Sequence, residues 1–381
     1  MIYFSFGDSP SGVLSSQAID VVKYLRTLTR ERIRFVAFIS IRSFTKNKAL
    51  IKAELSDAMV LPMFPKIDTW YWNRFTLALV CLLTGERKLI GRNVLAVQMA
   101  LAVKRMGMLK MICLDGRGAM AAEWHEYPVV PSEKLKKNIT ALECEAVLKA
   151  DFRIAVSQQL INYWQTAYQY KEEKHVVIPC TLSLNFSLHA ELKTSNSFPN
   201  LEAIRNDIVL VYSGSTAGWQ SFYLLEDFLT PLLSENKKVK VIFMSGKDEK
   251  IDALVIKFKE QVQRLWVPHD QVQQVLQYAD YGILIREQTV TNKVASPTKF
   301  AEYLSAGLQV LISPALGDYS AFVKQQNCGR LIENHRNITL QKTTATQRQQ
   351  NRQLVSQYFT KASQREEYLK FLAGMSIVKV A

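Results

Sequence analysis

The feature that most limits what this chain can fold into is a regular alternation. Short β-branched or aromatic runs alternate with longer helical patterns, and the whole pattern occurs twice. In the first half, runs at 2–6, 33–39, 58–62, 88–90, 109–114, 152–156 and 175–178 predict strands. Stretches at 15–30, 94–106, 132–149 and 158–170 predict the helices between them. The second half predicts strands at 208–212, 239–244, 265–267, 281–285, 309–312 and 329–332. Its helices are expected at 219–234, 249–258, 270–278, 297–306 and 319–325. Strands alternating with helices imply a parallel sheet covered on both faces. The expected fold class is α/β, with two tandem Rossmann-like, doubly wound domains facing each other across a cleft. Residues 1–183 form the first domain, 184–205 a Ser- and Asn-containing linker, 206–342 the second domain, and 343–381 a polar helical tail that packs back across the cleft. Ligands of such folds bind at the carboxyl ends of the strands.

Composition narrows the function classes. With 48% apolar and 22% charged residues the chain is globular rather than disordered. The apolar run 75–83 is far shorter than the roughly 20 residues that span a bilayer. The N-terminus reads as a strand, not a leader. Cys81, Cys113, Cys144, Cys180 and Cys328 are scattered in or beside apolar segments, which predicts buried free thiols and a cytoplasmic setting. The net charge of +14 lies mostly in the first half. Nucleic-acid-binding motifs are absent, so the excess points to an anionic membrane surface or a phosphate-bearing ligand. Trp70-Tyr71-Trp72-Asn73-Arg74-Phe75, near Lys66, Arg87 and Lys88, mixes aromatic and basic residues as membrane-docking segments do.

The chemistry is expected around residues 280–310. A strand ends in Arg286-Glu287, a polar loop follows, and Ser296-Pro297 then reads as an N-cap and first helical residue. The following N–H groups, of Thr298 and Lys299, stand at the positive end of the helix dipole, and Lys299 adds a full charge. At helical spacing Lys299, Glu302, Tyr303 and Ala306 share one face, with Phe300 and Leu304 on the core side. A cation for phosphate thus sits one turn from a carboxylate that can accept from ribose hydroxyls. The same spacing also describes an ordinary surface ion pair.

The run SPTKFAEYLSAGLQVLIS (296–313) resembles the donor-binding motif of GT-B glycosyltransferases, specifically the large family 4 group of bacterial surface-polysaccharide type. The likeness extends to ADYGILIRE, LGDYSAFV and GRLI around it. It reaches, more loosely, GDSPSG after the first strand, LDGRG with Glu123, and VYSGSTAGW at the start of the second domain. The resemblance implies that Ser296, Pro297, Thr298 and Lys299 bind the diphosphate of a nucleotide-sugar donor and that Glu302 binds the ribose. Gly214, Ser215 and, from the other domain, Gly12 would let backbone approach the phosphates, with Arg286 contacting phosphate or donor sugar. Asp115, Arg117 and Glu123 are the candidate catalytic or acceptor-binding group. Two departures stand out. Val294 occupies the place of a second Glu, and Trp219 and Gln220 occupy the region of the usual Arg and Lys, with Lys247 as a substitute cation.

The implied reaction is hexosyl transfer to a glycan or lipid-linked acceptor, with retained configuration and no metal or other cofactor. A D-x-D motif is absent, and the histidines lack metal-ligand spacing. His125 and His269 are lesser candidates. A nucleotide-sugar 2-epimerase and a non-catalytic nucleotide-sugar-binding protein are the alternatives. A dinucleotide-dependent dehydrogenase is disfavoured because no G-x-G-x-x-G follows a strand.

Overall fold

The computed structural model describes residues 1–130, 132–186, 198–268, 271–333 and 338–377. Two parallel sheets organise the chain. The first contains β1 (Ile2–Phe6), β2 (Arg34–Ile39), β3 (Met59–Pro62), β4 (Lys88–Arg92), β5 (Met111–Gly116), β6 (Phe152–Ala155) and β7 (His175–Val177), in the order β3-β2-β1-β4-β5-β6-β7. The second contains β8 (Ile208–Ser213), β9 (Val239–Met244), β10 (Val262–Leu265), β11 (Tyr281–Leu284), β12 (Gln309–Ile312) and β13 (Gly329–Leu331), in the order β10-β9-β8-β11-β12-β13. Each order reverses once. The chain leaves β3 to place β4 beside β1, and leaves β10 to place β11 beside β8. Crossover helices diverge at such a reversal and open a crevice at the carboxyl ends of the two central strands.

Most strands lie where the apolar runs predict them. β10 is shifted from 265–267 to Val262–Leu265, because Val262 is the residue that enters the core while Trp266 is left 68% exposed. Helices Phe44–Glu54, Asn73–Thr84 and Met120–Glu126 were not among the expected elements.

The chain divides into two compact units, Met1–Ser183 with Val294–Ser296 and Lys361–Ala381, and Leu184–Lys293 with Pro297–Thr360. In the first, the core holds β1, β2, β6 and β7 residues such as Tyr3, Phe35 and Val176, against Val22 and Leu25 of helix Asp20–Leu28. Tyr368, Phe371 and Leu372 of helix Arg365–Gly374 complete that core. Gly374 is required there, since a Cβ would stand 2.2 Å from the Phe152 ring. Lys361 enters the same unit with its ammonium buried, donating to Thr181 Oγ1 and Leu182 O at 3.2 and 3.0 Å. Burial pushes that lysine down to about 8.

In the second unit, Phe359 of the tail packs on Phe300, Tyr319 and Phe322 with ring centroids 5.1 to 5.6 Å apart. The apolar residues of the tail are therefore shared between the units rather than forming one element. Fully buried Asp280 ties strands to tail. Its carboxylate accepts from Val209 N and Thr343 N, each at 3.0 Å, and pairs with Arg348 at 2.9 Å.

Candidate functional site

In the second unit, the reversal between β8 and β11 carries the expected residues. β8 runs out through Ser213 into Gly214 and Ser215, β11 runs out to Arg286, and the helix Thr298–Ser305 begins beside them. The Lys299 ammonium sits where a side chain on Gly214 would go, 2.3 Å from an imagined Cβ, and Gly214 has a φ of +154° that only glycine adopts without strain. Gln220 Nε2 is 3.6 Å from that same point. Tyr212 lies under the corner, with Lys299 Nζ 5.8 Å from its ring centroid and its hydroxyl donating to Ser215 O at 2.6 Å.

Two cations meet here. Arg286 is buried, its backbone N–H donates to Ser313 Oγ at 2.7 Å, and its guanidinium reaches Asn292 Oδ1 at 3.5 Å. Lys299 is pushed down to about 8 by burial and by Arg286, with Glu302 offsetting part of the shift. The half-buried Lys299 ammonium thus sits in surroundings that disfavour its charge. The helix adds the partial positive charge of its first turn, whose N–H groups on Thr298 and Lys299 have no acceptor within the helix. Positive charge is thus concentrated at this corner. Glu302, partly buried one turn on, is the carboxylate beside it.

Three local expectations are corrected. The helix N-cap is Pro297, not Ser296, and no side chain caps it. Ser296 is grouped with the first unit instead, where its hydroxyl accepts the Cys180 N–H at 2.9 Å. Tyr303 does not share the open face of Lys299. It is fully buried against β11 at Gly282, where a Cβ would stand 2.1 Å from its ring, and its hydroxyl accepts the Ser213 N–H at 3.0 Å. Val294, standing where a second Glu was expected, is buried in the first unit and accepts from Ser157 Oγ at 2.7 Å. Lys247 is exposed on its loop.

In the first unit, Asp115 and Arg117 are brought together at the end of β5. Asp115 is fully buried, accepts from the Tyr3 hydroxyl and pairs with Arg117 Nε at 2.9 Å. Arg117 and Arg92 both donate to Gln17 O at 3.1 Å, and Arg92 pairs with Asp8 at 3.4 Å. Asp115 Oδ2 also accepts from Arg117 Nη2 at 3.0 Å and lies 3.9 Å from Arg92 Nη1. Gly12 opens the helical segment after β1, capped by Ser11, whose Oγ accepts from Leu14 N at 3.2 Å.

Glu123 does not join that network. It lines a cavity of about 110 Å³ with Asn93, Arg117, Met120, Glu143 and Trp164. Burial raises Glu123, with Glu126 adding to the shift. Glu143 is pushed up to about 7 by burial. It accepts from Met120 N at 3.1 Å, Ala121 N at 2.8 Å and the Tyr168 hydroxyl at 3.0 Å. Glu143 and Trp164 were missed in the sequence. The signal was there for Glu143, which falls in the buried stripe of Leu135, Ile139, Ala146 and Val147, where a charge has no place unless it has work to do. His125 lies apart, exposed and bonded to Thr140 Oγ1 at 3.1 Å, and His269 lies outside the described residues. Among the described residues no group of three or more His, Cys, Asp or Glu is placed to hold a metal.

Two parallel sheets of this order in tandem define the GT-B fold, and solved structures of that fold match the chain over nearly its whole length. HepE from Anabaena, in complex with UDP-glucose, matches with a TM-score of 0.68 at 16% identity over 98% of this chain and 99% of that one. Sucrose-phosphate synthase from Thermosynechococcus elongatus matches with a TM-score of 0.65 at 11% identity, over 97% and 96%. A putative UDP-N-acetylglucosamine 2-epimerase from Listeria monocytogenes matches with a TM-score of 0.54 at 11% identity, over 99% and 91%. No family model and no curated protein matches the chain.

Proposed function

We propose that the protein is a glycosyltransferase that moves a sugar from a nucleoside-diphosphate donor to a hydroxyl of a glycan or lipid-linked acceptor. The observation that carries this reading is the cationic corner at the β8–β11 reversal, which brings Arg286 and Lys299 together beside the bare backbone of Gly214. The fold shared with HepE, whose structure holds UDP-glucose, supports it.

In this reading Lys299, Arg286 and the first turn, Pro297-Thr298-Lys299, bind the diphosphate. Gly214 and Ser215 admit its oxygens to the backbone, and Glu302 accepts from the ribose hydroxyls. The bond from the anomeric carbon to the diphosphate oxygen breaks, and the diphosphate keeps the electron pair. The acceptor oxygen bonds to the anomeric carbon, and its proton passes to the departing phosphate. Stabilising that departing charge is the main catalytic task, and two pre-placed cations perform it without a metal. The reaction retains configuration at the anomeric carbon. Arg117, Glu123 and Glu143 bind acceptor hydroxyls, while Asp115 positions Arg117. The process served is bacterial surface-polysaccharide assembly on the cytoplasmic side.

A second reading is 2-epimerisation of the nucleotide sugar. It is favoured by the two carboxyls of raised pKa, Glu123 and Glu143, on one cavity. Proton NMR of the protein with UDP-glucose, UDP-N-acetylglucosamine and GDP-mannose, with and without polyprenyl-phosphate-linked saccharides, separates the two. Transfer predicts loss of the donor anomeric signal with release of nucleoside diphosphate. A new donor epimer with no released diphosphate would overturn transfer, and binding with no turnover of any donor would leave a carrier.

A further inference from the structure

The helix Asn73–Thr84 turns the wrong face outward for a protein surrounded only by water. Its inner face, Leu77, Ala78, Val80 and Cys81, is buried. Its outer face carries Phe75, Leu79, Leu82 and Leu83, between 48% and 75% exposed, and Trp72 precedes them at 57%. At 100° per residue these five side chains fall within an arc of about 100°, a continuous apolar stripe. Tyr71 and Phe64 extend it on the N-terminal side. Single exposed leucines are ordinary, but a stripe of large apolar side chains along a whole helix is an interaction surface.

Charge says what the surface meets. From Thr69 to Gly85 the chain has no Asp or Glu. Its one charge, Arg74, stacks on Tyr71 and Phe75 with its guanidinium carbon 3.8 and 4.4 Å from the ring centroids. That keeps a cation beside the aromatic edge of the stripe. Lys66 and Asp68 precede the segment, Glu86 and Arg87 follow it, and Asp68 and Lys134 line a groove of about 410 Å³ with Tyr71 and Trp72. An apolar stripe with an arginine held at its aromatic edge, in the more basic half of the chain, is the pattern of a helix lying in a membrane interface. A second copy of the chain is a poorer occupant, because the stretch Thr69 to Gly85 offers no Asp or Glu to receive its Arg74. Among the described residues no helix is long and apolar enough to cross a membrane, so this one would lie along it.

We propose that the outer face of Asn73–Thr84, with Trp72 and Arg74, docks this protein on an anionic lipid bilayer. The inference does not depend on the sugar-transfer reading, because none of its residues belongs to the cationic corner. The test is vesicle flotation of the full chain with phosphatidylcholine alone and with phosphatidylcholine plus phosphatidylglycerol. The wild type is expected to float with the anionic vesicles and roughly tenfold less with the neutral ones. L79E/L83E, both at exposed positions, is expected to lose flotation, and R74Q to weaken it. Circular-dichroism spectra and urea-unfolding midpoints should be unchanged in both, which shows that they are folded. Failure of the wild type to float, or equal flotation of L79E/L83E, would overturn the proposal. So would sedimentation showing a wild-type dimer that L79E/L83E dissolves without any lipid binding, which would assign the face to a second copy.

Discussion

Lys299 keeps its proton in the free protein only up to about pH 8, against an ordinary 10.5, because burial and Arg286 both disfavour the charge. A diphosphate favours the charged form, so binding and protonation support each other. The sign follows directly. Well below pH 8 the ammonium is present and, in the proposed reading, nucleoside diphosphate binds at full strength. Above it, each binding event must also take up a proton. Affinity for UDP or GDP is therefore expected to fall about tenfold between pH 7 and 9, where an exposed lysine would cause no change. Isothermal calorimetry across that range checks it, and Lys299→Arg, which stays charged, should flatten the profile. At this scale the sequence was partly legible. The pattern placed Lys299 and Glu302 next to a helix start and Arg286 after a strand end, where the structure has them. Tyr303 was misassigned, because helical periodicity puts it beside Lys299 and only the missing side chain of Gly282 explains how it is buried. Ser296 was misassigned because the N-cap preference of serine is local, whereas its actual partner, Cys180, is remote in sequence.

Among the elements, β8 and β11 matter most, since their ends position Gly214 and Arg286. Asp280, at the start of β11, holds that pair to the tail through Val209, Thr343 and Arg348. Removing it leaves Arg348 partly buried and unpaired and strands two buried N–H groups. Asp280→Ala is expected to destabilise the protein by about 3–5 kcal/mol, read as a lower midpoint in urea unfolding. A loss below about 1 kcal/mol would show that the contacts are incidental. β-strands were the most legible elements because a buried parallel strand must be a short apolar run. Helices Phe44–Glu54 and Asn73–Thr84 were less so. The first exposes much of its length, and the second is apolar on both faces, so neither shows the one-sided pattern by which a helix is recognised.

At the scale of the molecule, two sheets that each reverse once give two crevices, and residues expected to act on a ligand gather at the ends of the strands flanking them. The doubly wound class was readable from the order of elements alone, and the GT-B match agrees with it. The division of the tail was not readable. Its apolar residues recur along 354–372, and nothing in their spacing says that Phe359 serves one core and Tyr368 another. The cavity of Glu123 and Glu143 was also hidden, because it brings together β5, four helices and the loop after β4.

The central claim is that the corner of Gly214, Arg286 and Lys299 binds the diphosphate of a nucleotide sugar. Calorimetric titration with UDP, GDP, dTDP and ADP at pH 7 without divalent metal, on the wild type, Lys299→Ala and Glu302→Ala, tests it most directly. The account predicts that one nucleotide binds in the micromolar range and that each substitution weakens it about 10- to 100-fold, the loss of one charge-assisted contact. Binding that both substitutions leave untouched, or no binding of any nucleotide to the wild type, would contradict it.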